Sequence, residues 1–327
     1  VFFINPVAGK RDASAELVPQ IQAAARRLQL PQPQIVVTQY AGQAREAARQ
    51  YAASGTPAAL YACGGDGTLN ELVQGAAGSA NVAVGCVPCG SGNDYVRNFG
   101  AAGQAPFLDF AAQLQAQPCR VDLLQTSLGI GIDICAAGLD AQVAYGIPKF
   151  RRLPGCGGTA AYTLSILQAM LSRFGHRLRV AIDGKEYTGT YMMAAICNGG
   201  YYGGGYQAAP YAAMDDGLLD IVLVKPISRI QVAGILAKYK AGQHMQDADT
   251  IVPEFRSFMT FYRARSVEMQ VLDNRPIIAT IDGECAPVME LKAEVLPSAL
   301  NVLLPRPACG SAVIRGLYEC PMQAKAK

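Results

Sequence analysis

Two stretches of this chain have the residue types that handle phosphate. Gly64-Gly65-Asp66-Gly67-Thr68 is followed three positions later by Glu71. With three glycines in the loop, backbone N–H groups can approach a phosphate chain closely. Asp66 would repel a bare phosphate, so a carboxylate at this point implies a divalent cation between the two. The chemistry recurs at Gly90-Ser91-Gly92-Asn93-Asp94. Two acidic turns lie further along, Asp215-Asp216-Gly217 and Asp282-Gly283-Glu284.

The flanking residues indicate what positions these loops. Residues 58–62 form an apolar run with the length of a buried strand, and residues 69–77 read as a helix. Thr68 and Glu71 have capping-box spacing, which would fix the helix start where its positive end faces an anion. Residues 82–87 make a second strand running into the second loop. Two strand-ending glycine turns, each carrying an aspartate, predict loops side by side at the carboxyl edge of one sheet. Upstream, a strand at 1–4, a helix at 13–30, a strand at 34–38 and a helix at 42–54 complete an alternation that predicts a parallel α/β domain over residues 1–120. From residue 121 the pattern changes to short strand-like runs at 123–126, 130–136, 178–182, 192–197, 219–224, 267–271 and 277–281. One helix is expected near 160–174 and a last strand at 299–304. This predicts a β-rich sandwich domain over 121–305, with the tail from about 306 to 327 packing back on the first domain.

Composition narrows the function classes. A chain of 327 residues, 51% hydrophobic and 16% charged, suits two globular domains. A net charge of +3, with no Lys/Arg run longer than Arg151-Arg152, argues against nucleic acid as a partner. The most apolar helical stretch, 159–171, is too short to span a bilayer and reads as a core helix. The first residues read as a strand rather than a leader, which gives a cytoplasmic expectation. The ten cysteines are scattered through apolar runs, as small core residues would be. Cys86 and Cys89 make a C-x-x-C, but at a strand end rather than a helix start, which disfavours redox chemistry. No G-x-S-x-G is present, and His176 and His244 lie outside any motif, which disfavours a hydrolase.

The two glycine loops resemble the G-G-D-G-T-x-x-E and G-T-x-N-D signatures of the diacylglycerol kinase catalytic-domain family, which includes sphingosine kinases, ceramide kinases and soluble bacterial lipid kinases. Ser91 keeps the hydroxyl of the usual Thr. The resemblance continues along the chain. Asn5-Pro6-Val7-Ala8-Gly9-Lys10 is similar to N-P-x-S-G-K, with Ala8 for Ser, and Gly138-Leu139-Asp140-Ala141-Gln142-Val143 to G-F-D-A-E-V, with Gln142 for Glu. Asn198-Gly199-Gly200 begins a segment similar to N-G-x-x-x-G-G-G. Residues 210–220 resemble P-x-A-x-x-D-D-G-x-L-D, and Asp282-Gly283-Glu284 the family's D-G-E.

The resemblance implies an NAD kinase-like α/β domain, a β-sandwich domain and an active site in the cleft between them. It implies ATP and Mg²⁺, with Asn5, Lys10, Thr38, Gly64, Gly65, Asp66, Gly67, Thr68, Glu71, Gly90, Ser91 and Asn93 around the nucleotide. Asp66, Asp94, Arg97 and Asp122 would form the active-site charge network. Phosphoryl transfer to a hydroxyl needs a base beside it and a metal to spread phosphate charge. The family's pattern puts Asp282 as base and Glu284 as its supporting carboxylate. It also implies a structural Mg²⁺ on the Asp216 side chain, with Asp215 and the carbonyls near Ala213 and Leu218. The expected reaction is ATP-dependent phosphorylation of a lipid hydroxyl, foremost that of diacylglycerol, during peripheral contact with the inner face of the membrane. Lys149 to Gly155, a basic and apolar stretch read as a loop, is a candidate for that contact. Sphingosine, ceramide or phosphatidylglycerol as acceptor, an NAD kinase, a catalytically silent lipid-binding module and a homodimer stay open at this stage.

Overall fold

The computed structural model describes residues 1–9, 12–100, 104–153, 158–172 and 175–306. The described residues separate into two compact units. Of the described residues, one unit comprises those within Val1–Leu123, Ala213–Gly217 and 296–306; the other comprises those within Leu124–Ala212 and Leu218–Val295. A single cut near residue 120 therefore misses two returns of the chain to the first unit. The tail beyond 306 lies outside the described residues.

The first unit alternates β1 (Phe2–Ile4), α1 (Ser14–Arg27), β2 (Ile35–Val37), α2 (Gln43–Ser54), β3 (Ala58–Gly64), α3 (Asp66–Ala76), β4 (Val82–Pro88) and the short α4 (Asp94–Arg97), then α5 (Phe110–Leu114). Strands β2, β1, β3 and β4 are parallel neighbours in that order. Beside β4 lie Asn301 and Val302 of the final strand, also parallel, so a segment from the far end of the chain completes this sheet. On one face Phe2, Ile4, Tyr61 and Val87 pack against Ile21 of α1 and Phe110, with the Phe2 and Tyr61 rings stacked at 4.4 Å. Gly75 lets α3 close on α2, since a β-carbon there would meet Ala48 Cβ at 2.5 Å.

The second unit begins on β5 (Gln117–Thr126) and continues through β6 (Gly129–Gly131), β7 (Ile134–Gly138), α6 (Leu139–Arg151), α7 (Gly158–Leu171), β8 (His176–Ile182), β9 (Lys185–Tyr191), β10 (Met193–Cys197) and the hairpin β11 (Tyr201–Tyr202) with β12 (Tyr206–Gln207). It ends with β13 (Leu219–Val224), α8 (Arg229–Lys240), β14 (Met259–Ala264), β15 (Ser266–Val271), β16 (Ile277–Ile281), β17 (Glu284–Val288) and the start of β18 (Glu290–Leu304). An antiparallel sheet in the order β14-β13-β10-β7-β16-β17 faces the antiparallel strands β18, β15, β8 and β9. Their inner faces share one core, including Leu178, Val180, Val267, Ala194, Ile196, Ile221 and Ile281. This is a sandwich. The outer face of the six-stranded sheet is also covered, with Ala136, Ala195 and Val222 packed under Val232, Tyr239 and Phe255. Burial on both faces explains why these strands read as continuous apolar runs rather than alternating ones.

Several elements differ from the sequence expectation. The helix after the first glycine loop starts at Asp66, not at 69. The run 130–136 is two strands, broken at Ile132-Asp133. The stretch 149–155 is not a loop throughout, because Lys149 and Phe150 belong to the last turn of α6; its Pro154 and Gly155 lie outside the described residues. The helix over 159–171 is no core helix: Ala161, Ser165 and Ala169 are buried, while Leu167 and Leu171 are exposed. α8 went unforeseen because apolar residues on all its sides erase the 3.6-residue period, although Ser228 and Gln231 form a complete capping box at its start. Among the described residues no helix is long and apolar enough to cross a membrane.

Candidate active site

The predicted phosphate-binding residues gather at the carboxyl edge of the parallel sheet. Thr38 follows β2, Asn5 follows β1, Gly65 follows β3 and Cys89 follows β4. Thr38 is tied to the end of β1, its N–H and hydroxyl both donating to Ile4 C=O. Asn5 Nδ2 donates to Thr68 Oγ1 at 3.1 Å, joining the first turn to the first glycine loop. Gly9 lies against the second loop: a β-carbon on it would sit 2.6 Å from Cys89 O. Lys10, expected to reach phosphate, lies outside the described residues.

The two glycine loops touch back to back. A β-carbon on Gly90 would lie 2.4 Å from Gly65 Cα, and one on Gly64 would strike Thr68 Oγ1, so side chains are excluded at both places. Asp66 fastens the loops together. Its Oδ2 accepts from Asn93 N–H at 2.9 Å and its Oδ1 from Asp94 N–H at 2.7 Å. Burial pushes the Asp66 carboxyl up from its ordinary value, and these two N–H donors offset part of that rise. Asn93 is in the left-handed conformation, at φ 54°, and its amide closes the loop by accepting from Gly90 N–H and donating to Gly90 C=O. Arg97 braces the same loop from behind, with Nε and Nη2 on Gly92 C=O at 3.2 and 3.1 Å and Nε 3.4 Å from Asp94 Oδ1. Gly67 and Ser91 are exposed at the rim.

Two expected roles change. The capping box of Thr68 and Glu71 does not form, because the helix starts two residues before Thr68 and both residues lie inside it. Glu71 instead turns to the neighbouring helix, where its carboxylate accepts from Gly42 N–H at 2.7 Å and Ala44 N–H at 3.2 Å. It caps the start of α2 and holds α2 and α3 together in a charge-assisted arrangement.

Asp122, 1% exposed, clamps the Asp-Asp-Gly turn within the first unit. Its Oδ2 accepts from Gly217 N–H and its Oδ1 from Ser298 N–H, both at 2.7 Å, while its own N–H donates to Met214 C=O. Burial foremost, and then the charges of Asp216 and Asp215, push its pKa up. Carboxylates crowded on a turn with backbone carbonyls form a hard oxygen donor set that suits Mg²⁺. Among the described residues no group of three or more His, Cys, Asp or Glu side chains is arranged to hold a metal by itself. A cation here would therefore draw on backbone carbonyls.

In the second unit Asp282 and Gly283 are the two central residues of the β16–β17 hairpin. Ile281 pairs with Glu284 across it, and both central residues have positive φ, 45° and 93°, as a type I′ turn requires. The Asp282 carboxylate is turned into the unit. Its Oδ2 accepts from Ile132 N–H at 2.7 Å, and its Oδ1 accepts from Asp133 and Ile134 N–H at 3.1 and 3.0 Å. Those bonds break the 130–136 run into two strands. Asn198 holds the same segment from the other side, with Nδ2 on Ile132 C=O at 2.7 Å. Glu284 is exposed. Beneath lies a second buried carboxyl that the sequence reading gave no role: burial pushes Asp140 up to about 7, beside Tyr202, whose hydroxyl is 3.2 Å from that of Tyr239.

The family profile described as the diacylglycerol kinase catalytic domain matches residues 1–126, and the one described as the YegS C-terminal NAD kinase beta sandwich-like domain matches residues 133–304. A Pseudomonas aeruginosa protein named "Probable lipid kinase YegS-like" is 30% identical over 284 residues, covering 85% of this chain and 86% of its own. A Bacillus subtilis protein named "Diacylglycerol kinase" is 24% identical over 248 residues, covering 76% and 78%. A crystal structure of a diacylglycerol kinase from Bacillus anthracis superposes with a TM-score of 0.65 at 20% identity, covering 94% of this chain and 96% of that one, a likeness of fold.

Proposed function

Since the chain belongs to the lipid kinase family defined by a diacylglycerol kinase catalytic domain followed by a YegS-type β-sandwich domain, we propose that it transfers the γ-phosphate of ATP to a lipid hydroxyl, with diacylglycerol as acceptor and phosphatidic acid as product. The observation that carries this reading is the Asp66 link: one carboxylate holds two glycine loops back to back at the carboxyl edge of a parallel sheet, where α/β folds bind phosphates. Backbone N–H groups of Gly65 and Gly67 would line the phosphate chain, with Gly90, whose own N–H is held by Asn93 Oδ1, shaping the second loop and with Asn5, Thr38, Thr68 and Ser91 as polar neighbours. Asp66 and Asp94 would face the nucleotide's Mg²⁺, which when bound supplies positive charge to the transferring phosphoryl group. Asp216 and Asp215, with the carbonyls of Ala213 and Leu218, would hold a structural Mg²⁺ on the turn that Asp122 clamps.

The nucleotide would be carried by the first unit and the acceptor's base by the second. Asp282 is the proposed base, its carboxylate held in place by the N–H groups of Ile132, Asp133 and Ile134. Glu284, exposed on the same hairpin, would be its supporting carboxylate. The heavy engagement of Asp282 also favours a second reading, in which it only anchors the hairpin and the unit binds lipid without turnover.

The deciding experiment measures γ-phosphate transfer from ATP·Mg²⁺ to diacylglycerol, sphingosine, ceramide and phosphatidylglycerol in mixed micelles, with NAD as a soluble control. Transfer to diacylglycerol supports the proposal, transfer to another lipid corrects the acceptor, and transfer to NAD alone, or to nothing, overturns it.

A further inference from the structure

Two helices on the surface of the sandwich unit are apolar on the side that faces water. α7 has no charged residue; Ala161, Ser165 and Ala169 point inward, while Ala160, Thr163, Leu167 and Leu171 form the outward stripe. Leu167 is 55% exposed and Leu171 74%. α8 buries Val232 and Tyr239, and turns Ile230, Ala233, Gly234 and Ala237 outward, with Ile230 86% exposed. Surface helices ordinarily place charge there. The two stripes meet at one junction: Arg229 Nε and Nη2 donate to Met170 and Ser172 C=O at 2.6 and 3.2 Å, which sets the exposed Leu171 and Ile230 on either side. α6 packs on α7 and presents Tyr145, Lys149, Arg152 and Leu153 at helical spacing, all exposed.

The charges that the three helices themselves carry are mostly of one sign. α6 with its cap Arg152, α7 and α8 together contain six basic residues and one acidic residue, Asp140, although the whole chain has 28 basic against 25 acidic residues. The Asp140 carboxyl is turned inward beside Tyr202. Of the basic residues, Lys238 is matched by Glu254 at 2.7 Å. Exposed aliphatic side chains on helices that also carry exposed cations, Lys149 and Arg152 among them, suit the boundary between acyl chains and anionic headgroups.

We propose that the α6–α7–α8 face docks on an anionic phospholipid bilayer, with Leu167, Leu171 and Ile230 entering the surface while Lys149 and Arg152 meet lipid phosphates. The choice of a bilayer rests on the lipid kinase reading, whose acceptor resides there. Charge argues for it separately, because a two-fold dimer through this face would set its cations against their own copies.

The test floats the full chain, without nucleotide, on vesicles of phosphatidylcholine with and without phosphatidylglycerol. Binding is expected with phosphatidylglycerol and should weaken with salt. It should fall about tenfold in Leu171→Glu with Ile230→Glu, and also in Lys149→Glu with Arg152→Glu. Leu171→Ser with Ile230→Ser repeats the apolar test with a milder change. Turnover of a short-chain acceptor below its micelle concentration should be unchanged in every variant, which separates a failure of docking from a failure of the kinase reading. Absence of wild-type binding, binding indifferent to these variants, or a solution dimer that the same variants split would overturn the proposal.

Discussion

Replacing Asp282 by Asn tests two roles that the geometry puts on one side chain. The carboxylate accepts three backbone N–H groups, two on Oδ1 and one on Oδ2. Asn keeps the shape but has one acceptor oxygen. Its better orientation retains the bonds from Asp133 and Ile134 and turns an NH₂ toward the N–H of Ile132, a residue 1% exposed. Losing a hydrogen bond to a charged acceptor and leaving a buried donor facing another donor costs roughly 2–3 kcal/mol. In a unit of this size that lowers the melting temperature by roughly 4–12 °C. Loss of a general base lowers kcat by a further factor of about 10²–10⁴. The assay follows thermal unfolding by circular dichroism and radiolabelled phosphate transfer to diacylglycerol micelles, the latter well below the variant's melting temperature, where the chain is folded. Both effects together support an anchoring and catalytic Asp282. A lowered melting temperature with full kcat leaves Asp282 as an anchor and removes the base. An unchanged melting temperature refutes the three-donor account itself.

Further expectations follow from the same contacts. Asp66→Asn forfeits one of the two N–H bonds that hold the second glycine loop, and the KM for ATP should rise about tenfold or more; unchanged ATP saturation would separate Asp66 from nucleotide binding. Glu71→Gln should cost about 1 kcal/mol of stability through the weakened α2 cap while leaving the KM for ATP in place, and a selective KM effect with no loss of stability would return Glu71 to the nucleotide site. Stability should depend on pH with opposing signs at two buried groups. Asp140, raised to about 7, is protonated in the fold where the unfolded chain is ionised, so its contribution is present at low pH and lost as pH rises from about 4 to 7. His244, lowered to about 4, is neutral in the fold, so its contribution is present above its unfolded value near 6.5 and lost as pH falls toward 4. Asp140→Asn should flatten the decline toward pH 7, as read from denaturant midpoints across that range; an unaltered profile would rule out Asp140 as its source.

The sequence by itself determined the local chemistry and much of the architecture. Strand, glycine loop and helix follow one another where apolar runs, glycines and an aspartate dictate them, so the parallel sheet and the loops at its carboxyl edge were legible from residues 58–94. The Asp-Gly turn was legible too, because positive φ at two successive positions selects those residues. The tertiary structure decided where the long side chains go. Thr68 and Glu71 have capping-box spacing, yet Glu71 finds the unpaired N–H groups of α2 because α3 crosses it closely at Gly75. No pattern within one helix encodes a donor on another. Asp282 likewise reads as an exposed turn aspartate until pairing of β16 with β7 brings Ile132, Asp133 and Ile134 to it from across the unit. The helices α7 and α8 mark the same boundary from the other direction. Their composition says only apolar, and which apolar side chains meet water was settled by what covers each helix: α7 lays Ser165 against Val143 and Gly146 of α6, while α8 puts Val232 and Tyr239 on the outer side of the six-stranded sheet.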